Sequence, residues 1–251
     1  MFDYTQFNSK VIDRWAEEGW EWARPISHQQ FQRAKKGDWH VLLTPTKPVP
    51  KEWFPSLRGC RLLGLASGGA QQMPIFSALG AECTVLDYSQ KQLESERAFA
   101  EQEGYSIELL RADMTKPLPF ESESFELIFH PVSNCYVQEV FPIWKECFRI
   151  LRKGGVLLAG VDNGINFIFD EEQKELKYAL PYQPLQNPEL FRQCMEQGDA
   201  LQFSHTTEDQ LRTLLQAGFQ LEDIYEDTNG TGRLHEFGVP TFLAFLARKP
   251  W

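Results

Sequence analysis

Leu62-Leu63-Gly64-Leu65-Ala66-Ser67-Gly68-Gly69-Ala70 is the stretch on which the reading of this chain turns. A short apolar run leads into residues with almost no side chain, and a helical pattern follows. A second apolar run, Cys83-Thr84-Val85-Leu86, then ends in Asp87. That is the order strand, turn, helix, strand, acid. Small residues let backbone N–H groups approach a ligand closely, and a helix N-terminus adds donors that lack partners. A carboxylate at the tip of the second strand can accept both hydroxyls of a ribose. The stretch predicts a nucleoside-cofactor site.

Downstream the alternation continues. Strands are expected over 61–65, 82–86, 106–110, 125–129 and 156–161, with helices over 71–79, 89–103 and 138–151. Ser89 and Gln92 read as a capping box, and Gly104 as the stop of that helix. A helix capped by Thr207 leads to a strand at 219–225, and 241–247 is a last strand. Four βα units in series argue for an α/β fold: a doubly wound, seven-stranded, mostly parallel sheet. Residues 162–205 break the rhythm as an insertion after the fifth strand, with one helix near 188–197. Such an insertion at a ligand-binding edge suits substrate recognition.

Upstream, residues 1–58 lie outside the alternation and form a helical, aromatic extension, leaving 59–251 as the main domain. Asn8-Ser9 is expected to cap a first helix and Ser27 with Gln30 a second. Five of the seven tryptophans (Trp15, Trp20, Trp22, Trp39, Trp53) fall in this extension. It is expected to glue aromatics onto the main domain and to serve as a lid over the site.

Composition narrows the function. With 42% hydrophobic and 24% charged residues, the 251-residue chain reads as a soluble globular protein. It has no apolar run of the roughly 20 residues that a membrane helix needs. A net charge of −10 disfavours nucleic acid as a partner. Five scattered cysteines, without metal-ligand spacing, suit reduced thiols in the cytoplasm and no metal site. None of the seven tyrosines has a lysine four positions later, as a short-chain reductase requires, and no phosphate-binding Gly-x-x-x-x-Gly-Lys motif is present.

Residues 59–248 resemble the class I S-adenosylmethionine-dependent methyltransferases. Leu62–Ala70 fills the family's first motif, Asp87 its acid after the second strand, and Ala112-Asp113-Met114 its adenine corner. Phe125-Glu126-Leu127-Ile128 and Lys153-Gly154-Gly155-Val156-Leu157 match two further motifs. The resemblance implies the Rossmann-like methyltransferase fold and S-adenosyl-L-methionine as cofactor. It implies Ala66, Ser67, Gly68, Gly69, Gln71, Asp87, Tyr88, Ala112, Asp113, Met114, His130 and Pro131 as the residues around it. Two positions depart from the pattern: Gly64 replaces an acid, and Ala66 replaces the first glycine. They leave open a protein that binds the cofactor without transferring a methyl group.

His130 is the candidate general base, because its ordinary pKa lies near neutrality. Trp15, Trp20, Asn134, Tyr136 and Tyr178 are the candidates for the substrate side. The expected reaction is methyl transfer to a small-molecule acceptor by a monomer or homodimer; an RNA methyltransferase is the less favoured alternative.

Overall fold

The structure is a computed structural model that describes residues 2–170 and 172–251. Seven strands form one sheet: β1 (Arg61–Leu65), β2 (Glu82–Asp87), β3 (Glu108–Arg111), β4 (Phe125–His130), β5 (Leu151–Asp162), β6 (Gln220–Asp227) and β7 (Phe242–Arg248). Their order is β3-β2-β1-β4-β5-β7-β6. All pairs are parallel except those of β7, which runs antiparallel to both β5 and β6. The expected seven-stranded, mostly parallel sheet is therefore present. β5 begins at Leu151, earlier than expected, because Leu151 already pairs with Phe125, and residues 152–155 of β5 form the irregularity before the regular pairing of Leu127 with Val156.

Strand alternation divides the core. Leu63 and Leu65 pack on one face with Ile128, Trp144 and Phe245. Leu62 packs on the other with Met73, Phe76, Val85, Leu127 and Phe129. Burial on both faces explains why these strands read as continuous apolar runs. The covering helices are α3 (Met73–Ala78), α4 (Gln90–Glu103), α5 (Phe141–Ile150), α6 (Pro188–Gln197), α7 (Thr207–Gln216) and α8 (Gly232–Glu236). α6 occupies the span expected of it. The cap of α7 is Thr206 rather than Thr207, in a reciprocal capping box with Asp209.

The N-terminal extension contains α1 (Tyr4–Glu17) and α2 (His28–Lys35). Ser27 and Gln30 cap α2 as expected. α1 begins earlier than expected: Asp3 is its cap, accepting the Gln6 N–H at 3.0 Å, and Asn8 and Ser9 are buried within the helix. The extension contributes to the core. Phe31 packs edge-on against Phe99 and stacks with Tyr105, while Val41, Leu43, Val49 and Trp53 join the core of the second face. Each such side chain contributes about 1.5–3 kcal/mol by leaving water.

Candidate active site

The β-strand carboxyl ends open into a cavity of about 490 Å³. It lies where β1 and β4 diverge, the place where helices switch from one face of an open sheet to the other. After Leu65 the chain turns through Ala66, a non-glycine residue at φ 49°, whose N–H donates to Leu86 O at 2.8 Å. The turn then rests on β2: Gly68 N–H donates to Asp87 Oδ2 at 3.0 Å. A Cβ on Gly68 would lie 2.6 Å from Gln92 Cβ and 3.0 Å from that carboxylate oxygen, so only glycine permits this seat. Asp87 Oδ1 accepts the Ser89 N–H at 2.9 Å. Burial raises the Asp87 pKa, opposed by the N–H donors of Ser89, Gly68 and Tyr88.

The irregularity at Gly64 has a steric cause. A Cβ there would lie 2.6 Å from Met73 Sδ, so the thioether fills the space that the family's acid would need. The methionine end of a cofactor would instead meet Ser67, whose hydroxyl is buried without a partner, and the side chains of Gln71 and Gln72. At the other end Asp113, on the loop after β3, accepts Thr115 N–H at 2.8 Å and Thr115 Oγ1 at 2.7 Å on Oδ1. Its Oδ2 accepts the Thr5 hydroxyl at 2.8 Å. Leu86, Tyr88, Ala112 and Met114 supply an apolar slot beside it. A glycine cradle, a ribose-height carboxylate, an apolar slot and an orphaned hydroxyl at the far end match the shape and polarity of S-adenosylmethionine.

Of the residues expected at the cofactor, Ala66, Ser67, Gly68, Gln71, Asp87, Tyr88, Ala112, Asp113, Met114 and Pro131 line the cavity. Gly69 and His130 do not. His130 is fully buried at the β1–β4 divergence. Its Nδ1 lies 2.8 Å from Leu65 O and its Nε2 lies 2.9 Å from the Asn134 side-chain amide, which in turn lies 3.0 Å from that of Gln210. Burial lowers the His130 pKa, which favours the neutral ring. The Leu65 carbonyl only accepts, so Nδ1 carries the proton and Nε2 is an acceptor. Every group is then satisfied when the Asn134 NH2 faces Nε2 and the Asn134 oxygen faces the Gln210 NH2. With both amides turned the other way, that NH2 has no partner. Both ring nitrogens are engaged away from the cavity. The base expectation for His130 is therefore corrected: the ring is a strut between two strand tips.

The substrate-side candidates divide similarly. Trp20 and Tyr136 line the cavity. Trp15 packs behind Trp20, with ring centroids 5.3 Å apart, and Asn134 is buried in the His130 network. Tyr178 packs on Tyr182, and its neighbours in the insertion, Asn166 and Phe167, reach the cavity instead. Sequence reading also missed Thr5, Asn8, Ser9 and Ile12 of α1, Leu42–Pro45, Asp162 and Phe242. Thr5 is a hydroxyl one helical turn from Asn8, a polar stripe that periodicity could have flagged.

The chain is 41% identical over 230 residues to the Bacillus subtilis (strain 168) protein called uncharacterized methyltransferase YbaJ, covering 89% of this chain and 90% of the relative. The chain belongs to the class I S-adenosylmethionine-dependent methyltransferases. The family described as methyltransferase domain matches residues 63–159 of this methyltransferase, the segment holding the turn, Asp87, Asp113 and β4. Among solved structures, an S-adenosylmethionine-dependent methyltransferase from Mesorhizobium loti shares the fold with a TM-score of 0.64 at 21% identity, over 79% of this chain and 94% of that one. A geranyl diphosphate methyltransferase in complex with its methyl donor gives a TM-score of 0.56 at 14% identity, over 79% and 82%. No helix among the described residues of this methyltransferase is long and apolar enough to cross a membrane.

Proposed function

We propose that the cavity binds S-adenosyl-L-methionine across the tips of β1, β2 and β3 and directs methyl transfer to a small-molecule acceptor. The observation that carries this reading is Asp87, half-buried at the β2 tip and hydrogen-bonded to Gly68 N–H inside the same cavity that Asp113 and Ser67 border. Asp87 would hold the ribose hydroxyls, Asp113 and Met114 the adenine, and Ser67 with Gln71 the methionine end. The cofactor, when bound, supplies an electrophilic methyl group on a sulfonium. The chain supplies alignment and exclusion of water, together worth up to roughly 7–11 kcal/mol of barrier when geometry is good.

Residues 1–58 fit a cover for this site. α1 places Thr5, Asn8, Ser9 and Ile12 in the cavity wall, and the segment after α2 adds Leu42–Pro45. Leu43 O accepts Val132 N–H at 3.2 Å, joining that segment to the β4 loop. Five buried free thiols suit the reducing cytoplasm.

Calorimetric titration with S-adenosylmethionine and S-adenosylhomocysteine tests the reading. Micromolar binding of both supports it, and no binding at high micromolar concentration removes it. The Met73 thioether in place of the family's acid favours one second reading, a binder without transfer. Turnover of bound cofactor in the presence of amine and alcohol pools separates the two.

A further inference from the structure

The cavity wall carries a one-sided charge. Among the described residues, no Lys, Arg or His lines it, whereas Asp87, Asp113 and Asp162 do. Asp87 and Asp113 have places at the cofactor. Asp162 has none. It ends β5, and its register partner Phe242 on β7 also lines the cavity. In the order β2-β1-β4-β5 it stands three strands from Asp87, about 14 Å at a spacing of about 4.8 Å per strand. That is the acceptor end.

Asp162 is held rigidly. Oδ1 accepts Gly164 N–H at 2.6 Å, and Oδ2 accepts Asn166 Nδ2 at the longer distance of 3.3 Å. Asn166 is itself clasped by Asn229 through two side-chain bonds of 3.1 and 2.9 Å. Oδ2 keeps a lone pair, and among the described residues no Lys, Arg or His lines the cavity around it. The surrounding wall is apolar and aromatic, with Phe167, Phe242, Tyr136 and Cys135. The group is only 6% exposed. Burial raises its pKa to about 6, so an ionised form gains from any partner that brings positive charge. An acceptor with a carboxylate or phosphate would find no counter-charge here and would face three acids.

Resting on the methyltransferase reading of the same cavity, we propose that the acceptor is an apolar or aromatic amine whose nitrogen is received by Asp162. The ammonium donates to Oδ2 while its carbon skeleton lies among Phe167, Phe242 and Tyr136. One proton then passes from nitrogen to Oδ2, the N–H bond breaking as the O–H bond forms, leaving a neutral amine that carries a lone pair and a neutral Asp162. No other bond changes in that step.

The test is a binding panel on the full chain, with and without saturating S-adenosylhomocysteine. The probes are 2-phenylethylamine, 2-phenylethanol and phenylacetate, with tryptamine, tryptophol and indole-3-acetate as a second scaffold. Each amine is expected to bind more than about tenfold tighter than its alcohol and carboxylate partners, and Asp162→Asn to erase that preference. S-adenosylhomocysteine affinity should change by less than about twofold in that variant, since Asn keeps the acceptor for Gly164 N–H. A panel in which no amine binds, a carboxylate that matches its amine, or a preference surviving in Asp162→Asn overturns the proposal. Absence of S-adenosylhomocysteine binding alone instead sinks the cofactor reading, and the titrations without it still decide the amine preference.

Discussion

Asn8 meets the backbone of Leu201 twice. Its Nδ2 donates to Leu201 O at 2.8 Å, and its Oδ1 accepts Leu201 N–H at 2.8 Å. One side chain thus completes the hydrogen bonding of a residue 193 positions away and ties α1 to the end of the 162–205 insertion. Asn8→Ala leaves a buried N–H and a buried C=O unpaired. A loss of about 2–4 kcal/mol in urea unfolding is expected, together with faster proteolysis of α1. Asn8→Asp, which keeps only the acceptor, should fall between the two.

Asp87→Ala removes the carboxylate that seats the Gly68 turn and faces the ribose position. Loss of charged hydrogen bonds worth about 1.5–3 kcal/mol predicts S-adenosylmethionine binding roughly 10- to 150-fold weaker by calorimetry. Unchanged affinity would remove Asp87 from the site.

His130→Asn tests the strut. Removing the ring breaks the link to Leu65 O and leaves a void beside Trp144, whose ring lies 5.7 Å from it. Stability should fall by about 2–4 kcal/mol. The shape of the pH–rate profile should be the same in variant and wild type, because a ring that serves as a strut contributes no limb to it. A limb that disappears only in the variant would restore the base role.

Gly64 and Met73 should be energetically coupled. Gly64→Ala is expected to cost about 1–3 kcal/mol, because its Cβ meets the Met73 thioether. Combined with Met73→Ala, the two substitutions should cost less than the sum of the singles, read from chemical denaturation.

Glu96 sets a pH dependence. It is fully buried on α4, where Oε1 accepts Ala70 N–H at 2.7 Å and Oε2 has no partner, and burial raises its pKa to about 8. The native state therefore holds a proton that the unfolded chain releases near its ordinary value of 4.5. This contribution is full below about pH 4.5 and is lost as pH rises through about 8. Glu96→Gln keeps the Ala70 bond and should flatten the fall in melting temperature between pH 5 and 9.

The sheet was legible because buried parallel strands read as apolar runs and their tips carry glycine or an acid. Asp87 was legible from its place as the last residue of β2, and Asp113 from the resemblance of Ala112-Asp113-Met114 to the family's adenine corner. Direction at the β4 tip was not legible. His130 stands at the right height but turns sideways into the gap beside β1, and that depends on Leu65, Asn134 and Gln210 together. Asn8 and Ser9 were read as caps because short polar side chains serve caps and buried ties alike. Aromatic content around the cavity was apparent, but only packing distinguishes Trp20 in the wall from Trp15 behind it. Asp162 drew no notice, because an acid opening an insertion reads as a solvated loop.

α1 buries only Asn8, Ser9 and Val11. Polar ties pin it as well: Thr5 to Asp113, Tyr4 OH accepting Gln138 N–H at 3.2 Å, and Asp13 accepting Ser89 Oγ at 2.6 Å. Tyr4 and Phe7 also pack on the small cluster of Cys194, Leu201 and Phe203, so raising the helix exposes that patch but leaves both faces of the sheet packed, and it costs less than unfolding the core. On the proposed reading of residues 1–58 as a cover, reactants and products pass beneath α1. The pace of a full round would then follow how often α1 swings, and slower solvents should retard turnover more than they retard the chemistry.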